Sequence, residues 1–180
     1  MTTSPHDAEL VRQARAVLEQ AGPSGFVLGD LTLDDLGAIA WSGDPHHLTV
    51  VRSALDRVTP GQLEYLALRL PDGRPVAKAF LDFTRFDDAG YLSQLATHPD
   101  LQGMGLGTRL MVGAEDRIVA RGRPAARIGV EHDNTGARAL YERLGYLPVG
   151  EDVEQWGRTG PDGTLVMHRA DVILMRKQLT

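Results

Sequence analysis

The sequence predicts a mixed α/β (α+β) fold in which helices flank a central, mostly antiparallel sheet and one extra helix precedes it. Three observations lead there. Helix-period and strand-period segments alternate along the chain, a run of three strands is joined by tight turns, and an apolar strand passes through a glycine-rich turn into an amphipathic helix.

The elements can be justified in order. Residues 8–20 place Leu10, Ala14, Val17 and Leu18 on one helical face, and Gly22-Pro23-Ser24-Gly25 ends that helix. Phe26 to Leu31 reads as a first strand. Thr32 is a suitable cap for a short helix, with Asp35 in its third position. Asp44-Pro45 then pairs an N-cap with proline at the first helical position, opening a helix that keeps Leu48, Val51, Leu55 and Val58 at helical spacing. Leu63–Leu70, Val76–Thr84 and Tyr91–Thr97 read as strands, separated by Pro71-Asp72-Gly73-Arg74 and Asp87-Asp88-Ala89-Gly90. A helix follows the glycine turn and stops near Gly122. Arg127–Val130 is a short strand and Thr135–Leu144 a helix. Leu147–Trp156 and Met167–Gln178 predict a hairpin about Gly160-Pro161-Asp162-Gly163. The expected organisation is an N-terminal helical extension over 1–25 and one domain over 26–180.

Bulk properties narrow the function. A domain of 180 residues hides roughly 70% of its unfolded surface and needs no staples. The absence of cysteine removes disulfides, thiolate metal sites and cysteine nucleophiles. The polar, acidic start and the short apolar runs predict neither a signal peptide nor a membrane span, and a cytoplasmic location is expected. A net charge of −5 argues against a broad nucleic-acid surface and leans weakly toward cationic acceptors. The six histidines show no metal-binding spacing, His46 and His47 being adjacent, so no metal is expected.

The chemistry concentrates in Leu95-Ala96-Thr97-His98-Pro99-Asp100-Leu101-Gln102-Gly103-Met104-Gly105-Leu106-Gly107-Thr108. Three glycines at alternate positions strip side chains from the turn. Backbone N–H groups at the following helix start can then converge on a phosphate. Unused, such glycines weaken a helix start by about 1 kcal/mol each. A P-loop would need a lysine between Gly107 and Thr108, and a dinucleotide fingerprint would place its third glycine one residue later. Asn134 suits an N-cap for the next helix, while Tyr141 shares a face with Ala137, Leu140 and Leu144, so spacing alone reads it as core.

Together, Gln102-Gly103-Met104-Gly105-Leu106-Gly107 and the downstream Asn134 with Leu140-Tyr141-Glu142-Arg143-Leu144-Gly145-Tyr146 resemble the acyl-CoA core of the GNAT N-acetyltransferase superfamily. The resemblance implies that acetyl-CoA is the co-substrate and that the turn, from Gln102 to Thr108, holds its diphosphate. It implies that Leu95, Ala96 and Thr97 pair with the pantetheine arm and supply an oxyanion donor, and that Asn134 and Ala137 also face the coenzyme. Tyr141 is implied as the acid that protonates the departing thiolate. The resemblance departs at the base: relatives often carry a glutamate near the positions of Ser93 and Gln94, and neither is a carboxylate. Glu131, His132, Asp82 or an ordered water remain open for that role. The loop from Trp41 to His47 and the tail around Trp156 are expected to select an amine-bearing acceptor. The expected function is direct transfer of acetyl to a small molecule or peptide amine. A catalytically weak acyl-CoA sensor and a longer-chain acyltransferase are the alternatives, and a homodimer through the tail strands stays open.

Overall fold

A computed structural model describes residues 5–160, 162 and 164–179. Helix α1 (Pro5–Ala21) leads into strand β1 (Val27–Asp30), helix α2 (Pro45–Leu55), and strands β2 (Leu63–Arg69), β3 (Pro75–Phe86) and β4 (Ala89–Thr97). Helix α3 (Leu106–Ala120), strand β5 (Ala125–Glu131), helix α4 (Thr135–Arg143) and strands β6 (Leu147–Thr159) and β7 (Leu165–Gln178) complete it. The seven strands form one sheet in the order β1-β2-β3-β4-β5-β7-β6. Every neighbouring pair is antiparallel except β4 and β5.

Helices cover both faces. On one, Leu10 and Ala14 of α1 and Leu106, Leu110, Met111, Ala114 and Ile118 of α3 share a core with Leu66, Leu68, Leu81 and Leu92. On the other, Val51 and Ala54 of α2 pack with Ile39, Tyr65, Ala67 and Phe80. With both faces covered, β3 is buried without a break from Pro75 to Leu81, and the apolar alternation usual for a one-sided antiparallel strand is absent.

Two expectations fail locally. The helix after Thr32 is only a 3-10 turn at Leu33–Asp35, followed by another at Ala40–Ser42. Asp35 does reach back to the Thr32 N–H at 2.8 Å, but its carboxylate also holds the guanidinium of Arg69 at 2.7 Å, tying the segment to β2. Gly37 follows at once, so no second helical turn propagates. Helix α2 ends at Leu55 and Val58 lies beyond it, in tight turns that precede Pro60-Gly61. The tail hairpin is longer than expected, pairing Thr159 with Leu165. Pro161 and Gly163 of its expected turn lie outside the described residues.

Candidate active site

The site begins where the sheet opens. Strands β4 and β5 pair from Ala89 with Ala125 to Leu92 with Ile128, and no further. Beyond that point β5 stays with β7 and β4 stays with β3. A wedge is left between them, with one edge of the β4 backbone facing into it. The β4 edge is also kinked. Lys78 pairs with Ala96 and Phe80 with Ser93, so Gln94 and Leu95 together oppose Ala79. Gln94 takes φ of 50°, which costs a non-glycine residue about a kcal/mol or more and marks a bulge held in place by its surroundings.

Two clefts meet at the wedge, and Leu95 lines both. The first, of about 530 Å³, runs along the glycine turn and α4. Gly103 and Gly105 adopt left-handed φ of 75° and 83°, which turns the chain sharply into α3. Gly105 is the N-cap, and no side chain caps the helix. Arg109 N–H bonds to Gly105 O. The N–H groups of Leu106, Gly107 and Thr108 precede that bond and have no protein acceptor among the described residues. They lie at the positive end of α3. A Cβ on Gly107 would stand 3.5 Å from Leu140 Cδ2 and 3.7 Å from Thr97 Oγ1, so a side chain there would fill this cleft. The lining carries one cation, Arg143, and no carboxylate. This combination of free donors, a helix terminus and an arginine suits a diphosphate.

The residues singled out from sequence distribute as follows. Leu95, Thr97, Gln102, Gly103, Gly105, Gly107, Thr108, Asn134 and Ala137 line this first cleft. Gln102 Nε2 also donates to Thr97 O at 3.4 Å, fastening the turn to β4. Asn134 Oδ1 accepts from Ala137 N–H at 3.2 Å, which is its capping role. Ala96 lies in the β3 ladder opposite Lys78, Met104 is half-buried against the core, and Leu106 is fully buried beneath the turn. Arg143, Leu140, Gly136 and Leu101 also line the cleft without having been assigned to the coenzyme from sequence. Of these, only Arg143 carried a usable signal, as the cation that closes α4.

The second cleft, of about 520 Å³, lies on the other side of Leu95. Tyr141 reaches it from α4, with Asp82 and Arg85 of β3, Glu131 of β5, and Glu154 and Trp156 of β6 along the walls. Tyr141 is buried, and its hydroxyl makes no hydrogen bond among the described residues. Burial, assisted by the charge of Glu154, pushes its pKa up to about 12, so the phenol stays protonated at neutral pH. A hydroxyl without a protein partner that opens onto a cleft can donate to an incoming group.

Ser93 and Gln94 line this cleft beside Asp82 and Glu131, while His132 is exposed and lies 3.7 Å from Glu151. His47 and Trp156 are also on the lining, whereas Trp41 packs against His98 with ring centroids 5.4 Å apart. Among the described residues no three His, Asp or Glu side chains cluster as a metal site, and no helix is long and apolar enough to cross a membrane.

The model of the acetyltransferase (GNAT) family matches residues 32–146. A mycothiol acetyltransferase of Clavibacter sepedonicus is 32% identical over 155 residues, which is 80% of this chain and 50% of that protein. The chain thus spans about half the length of the curated relatives it matches. The ribosomal-protein-S18-alanine N-acetyltransferase of Escherichia coli superposes with a TM-score of 0.64 at 24% identity, covering 86% of this chain and 94% of that one. A GNAT family acetyltransferase from Elizabethkingia anophelis with acetyl-CoA bound gives 0.61 at 15% identity, covering 86% and 99%.

Proposed function

The chain belongs to the GNAT acetyltransferase family, whose acyl donor is acetyl-CoA, and on that premise we propose that it transfers acetyl directly to an amine of a small molecule or peptide. One observation carries the reading: two clefts of opposite electrostatic character meet at Leu95. The groove of free N–H groups and Arg143 suits an anionic coenzyme. The cleft containing Asp82, Glu131 and Glu154 suits a cationic acceptor.

In this reading the amides from Gln102 to Thr108 hold the diphosphate, and the unpaired edge of β4 receives the pantetheine arm as a short added strand. An N–H of that edge polarises the thioester carbonyl. Tyr141 donates its proton to the thiolate as the C–S bond breaks. The unengaged Tyr141 hydroxyl favours turnover over a sensor that merely binds the coenzyme.

The relatives suggest where to begin with acceptors, since one is named for mycothiol and another for an alanine of a ribosomal protein. Thiol release from acetyl-CoA should be measured with a tetrapeptide bearing an N-terminal alanine, glucosamine, spermidine and L-lysine. Acceptor-dependent release supports the reading; coenzyme binding without release for any amine contradicts it.

A further inference from the structure

We infer that His47 and Lys78 together accept the proton of the attacking amine, with His47 on the cleft wall and Lys78 behind it as the store. The inference rests on the acyl-transfer reading above, which leaves that proton without a destination.

The carboxylates around the cleft are engaged elsewhere. Asp82 accepts from Thr84 N–H and Oγ1, both at 2.7 Å, and from Arg85 N–H at 3.2 Å, which builds a turn. Glu154 accepts from the Tyr91 hydroxyl and lies 3.4 Å from Arg85. Glu131 lies 3.6 Å from His168 Nε2. These acids can draw a cationic amine inward, but each already has a partner.

Lys78 has an unusual setting. It is wholly buried, and every hydrogen-bonding partner it has among the described residues is uncharged. Its Nζ lies 2.9 Å from Tyr65 Oη, 3.3 Å from Gln94 O and 3.2 Å from His47 Nε2. The Tyr65 hydroxyl donates to Gln94 Oε1 at 2.9 Å, so Oη accepts from Lys78. Loss of water pulls the Lys78 ammonium down to about 7, where both of its forms are populated.

His47 connects this store to the cleft. Its Nε2 faces Lys78, its Cδ2 edge lies against Gly43, and its Nδ1 makes no hydrogen bond among the described residues. Burial and the Lys78 charge hold the imidazole down to about 4, with His46 acting in the same direction and Asp44 opposing them. A proton reaching His47 therefore does not rest there. Among the described residues, the other ionisable groups facing the pair are Tyr65 from β2 and, along the shared cleft, Asp82 and Arg85 of β3, Tyr91 of β4, Glu131 of β5, Glu154 of β6 and Tyr141 of α4.

Two arrangements of the pair follow. When Lys78 is an ammonium, it donates to Nε2 and the ring proton is on Nδ1. When Lys78 is an amine, its lone pair accepts Nε2–H and Nδ1 is free to act as a base. The acceptor first gives its ammonium proton to water; the freed lone pair attacks the thioester carbonyl carbon, a C–N bond forms and the surplus proton of the new bond's nitrogen moves to Nδ1. In the same event Nε2–H passes to Lys78 Nζ, the C–S bond breaks and the thiolate takes the Tyr141 proton. Lys78 later returns its proton to water by the reverse route, and Tyr141 is reprotonated from water. The one proton released overall is that of the starting ammonium. Lys78 acts through His47 and touches no substrate.

The test needs no acceptor. The protein, labelled with ¹⁵N-histidine, is titrated from pH 5.5 to 9 by NMR. One imidazole should convert from the Nδ1–H to the Nε2–H tautomer with a midpoint near that of Lys78, and its signal should vanish in His47→Gln. In Lys78→Arg, whose guanidinium stays charged, His47 should remain Nδ1–H throughout. A wild-type His47 that keeps one tautomer across the range overturns the inference. With the fastest acceptor of the panel above, both variants should lose about 10²-fold in kcat/KM at pH 7.5, the scale of general-base catalysis, while coenzyme affinity holds. Wild-type pH profiles in both variants overturn the base assignment and leave acyl transfer standing. Failure of wild-type protein with every acceptor contradicts acyl transfer alone, and the tautomer titration still decides the inference.

Discussion

Leu92 and Ile128 are the last residues that β4 and β5 hold in register, and the two clefts meet just beyond that pair at Leu95. Parallel neighbours that continued to pair would satisfy the β4 backbone within the protein. By separating there, the sheet leaves one backbone edge of Ser93–Thr97 without a neighbouring strand, while β3 pairs with Ser93, Ala96 and Thr97 on the other side. Packing on both faces supplies the support that lets this opening persist.

Tyr141→Phe removes only the hydroxyl from a buried ring. Steady-state assays should show kcat reduced by about 10²-fold or more, with the Kd for CoA within a few-fold of wild type. An unchanged kcat would assign the acid elsewhere.

Gly107→Glu separates folding from coenzyme binding. Gly107 is helical, and a Cβ there meets Leu140 and Thr97 only at ordinary contact distance. A carboxylate in the first turn should favour α3 by about 0.3–1 kcal/mol, yet it would occupy the anion cradle. Calorimetry should find CoA binding weakened at least about 10²-fold with Tm maintained; retained affinity would remove the diphosphate from this turn.

Asn134 presents two roles that its variants can separate. Asn134→Ala should lose about 1 kcal/mol of stability through the missing cap and also weaken CoA. Asn134→Asp should keep the cap and Tm but still bind CoA less well, because an amide donor is replaced by a charge. Equal affinity in the Asp variant would leave capping as its sole function.

The buried Lys78 should tilt stability with pH. Its ammonium falls from an ordinary 10.5 to about 7 on folding. Between those values the unfolded chain binds the extra proton, so stability rises with pH across that window. The full burial penalty is felt below about 7. Denaturant titrations at pH 6, 8 and 9.5 should show the difference between wild type and Lys78→Met moving in favour of wild type as pH increases. A difference that stays constant would contradict the depressed ammonium.

Much of this arrangement could be read from the sequence because the causes are local. Proline after Asp44, Gly122 after α3 and glycines at 103 and 105 each impose a backbone state on their own neighbours. The 3-10 turn at Leu33–Asp35 was not legible as such, because the bond that fixes it comes from Arg69, distant in sequence. The same holds for the second cleft. His47, Lys78 and Gln94 meet only through the β3–β4 register and the seating of α2. A faint signal did exist: Lys78 is the lone charge in the apolar run Val76-Ala77-Lys78-Ala79-Phe80-Leu81. A lysine in a strand covered on both sides must be either paired or functional. Spacing also favoured Tyr141 as core, and it is buried; what spacing could not reveal is that its hydroxyl end opens onto a cleft.

The most direct test of the account is a crystal structure of this protein with acetyl-CoA. The account predicts the diphosphate within hydrogen-bond distance of N–H groups between Gly103 and Thr108, the pantetheine arm along Leu95–Thr97, and the sulfur beside the Tyr141 hydroxyl. A diphosphate seated away from that turn, or a sulfur beyond reach of Tyr141, would contradict it.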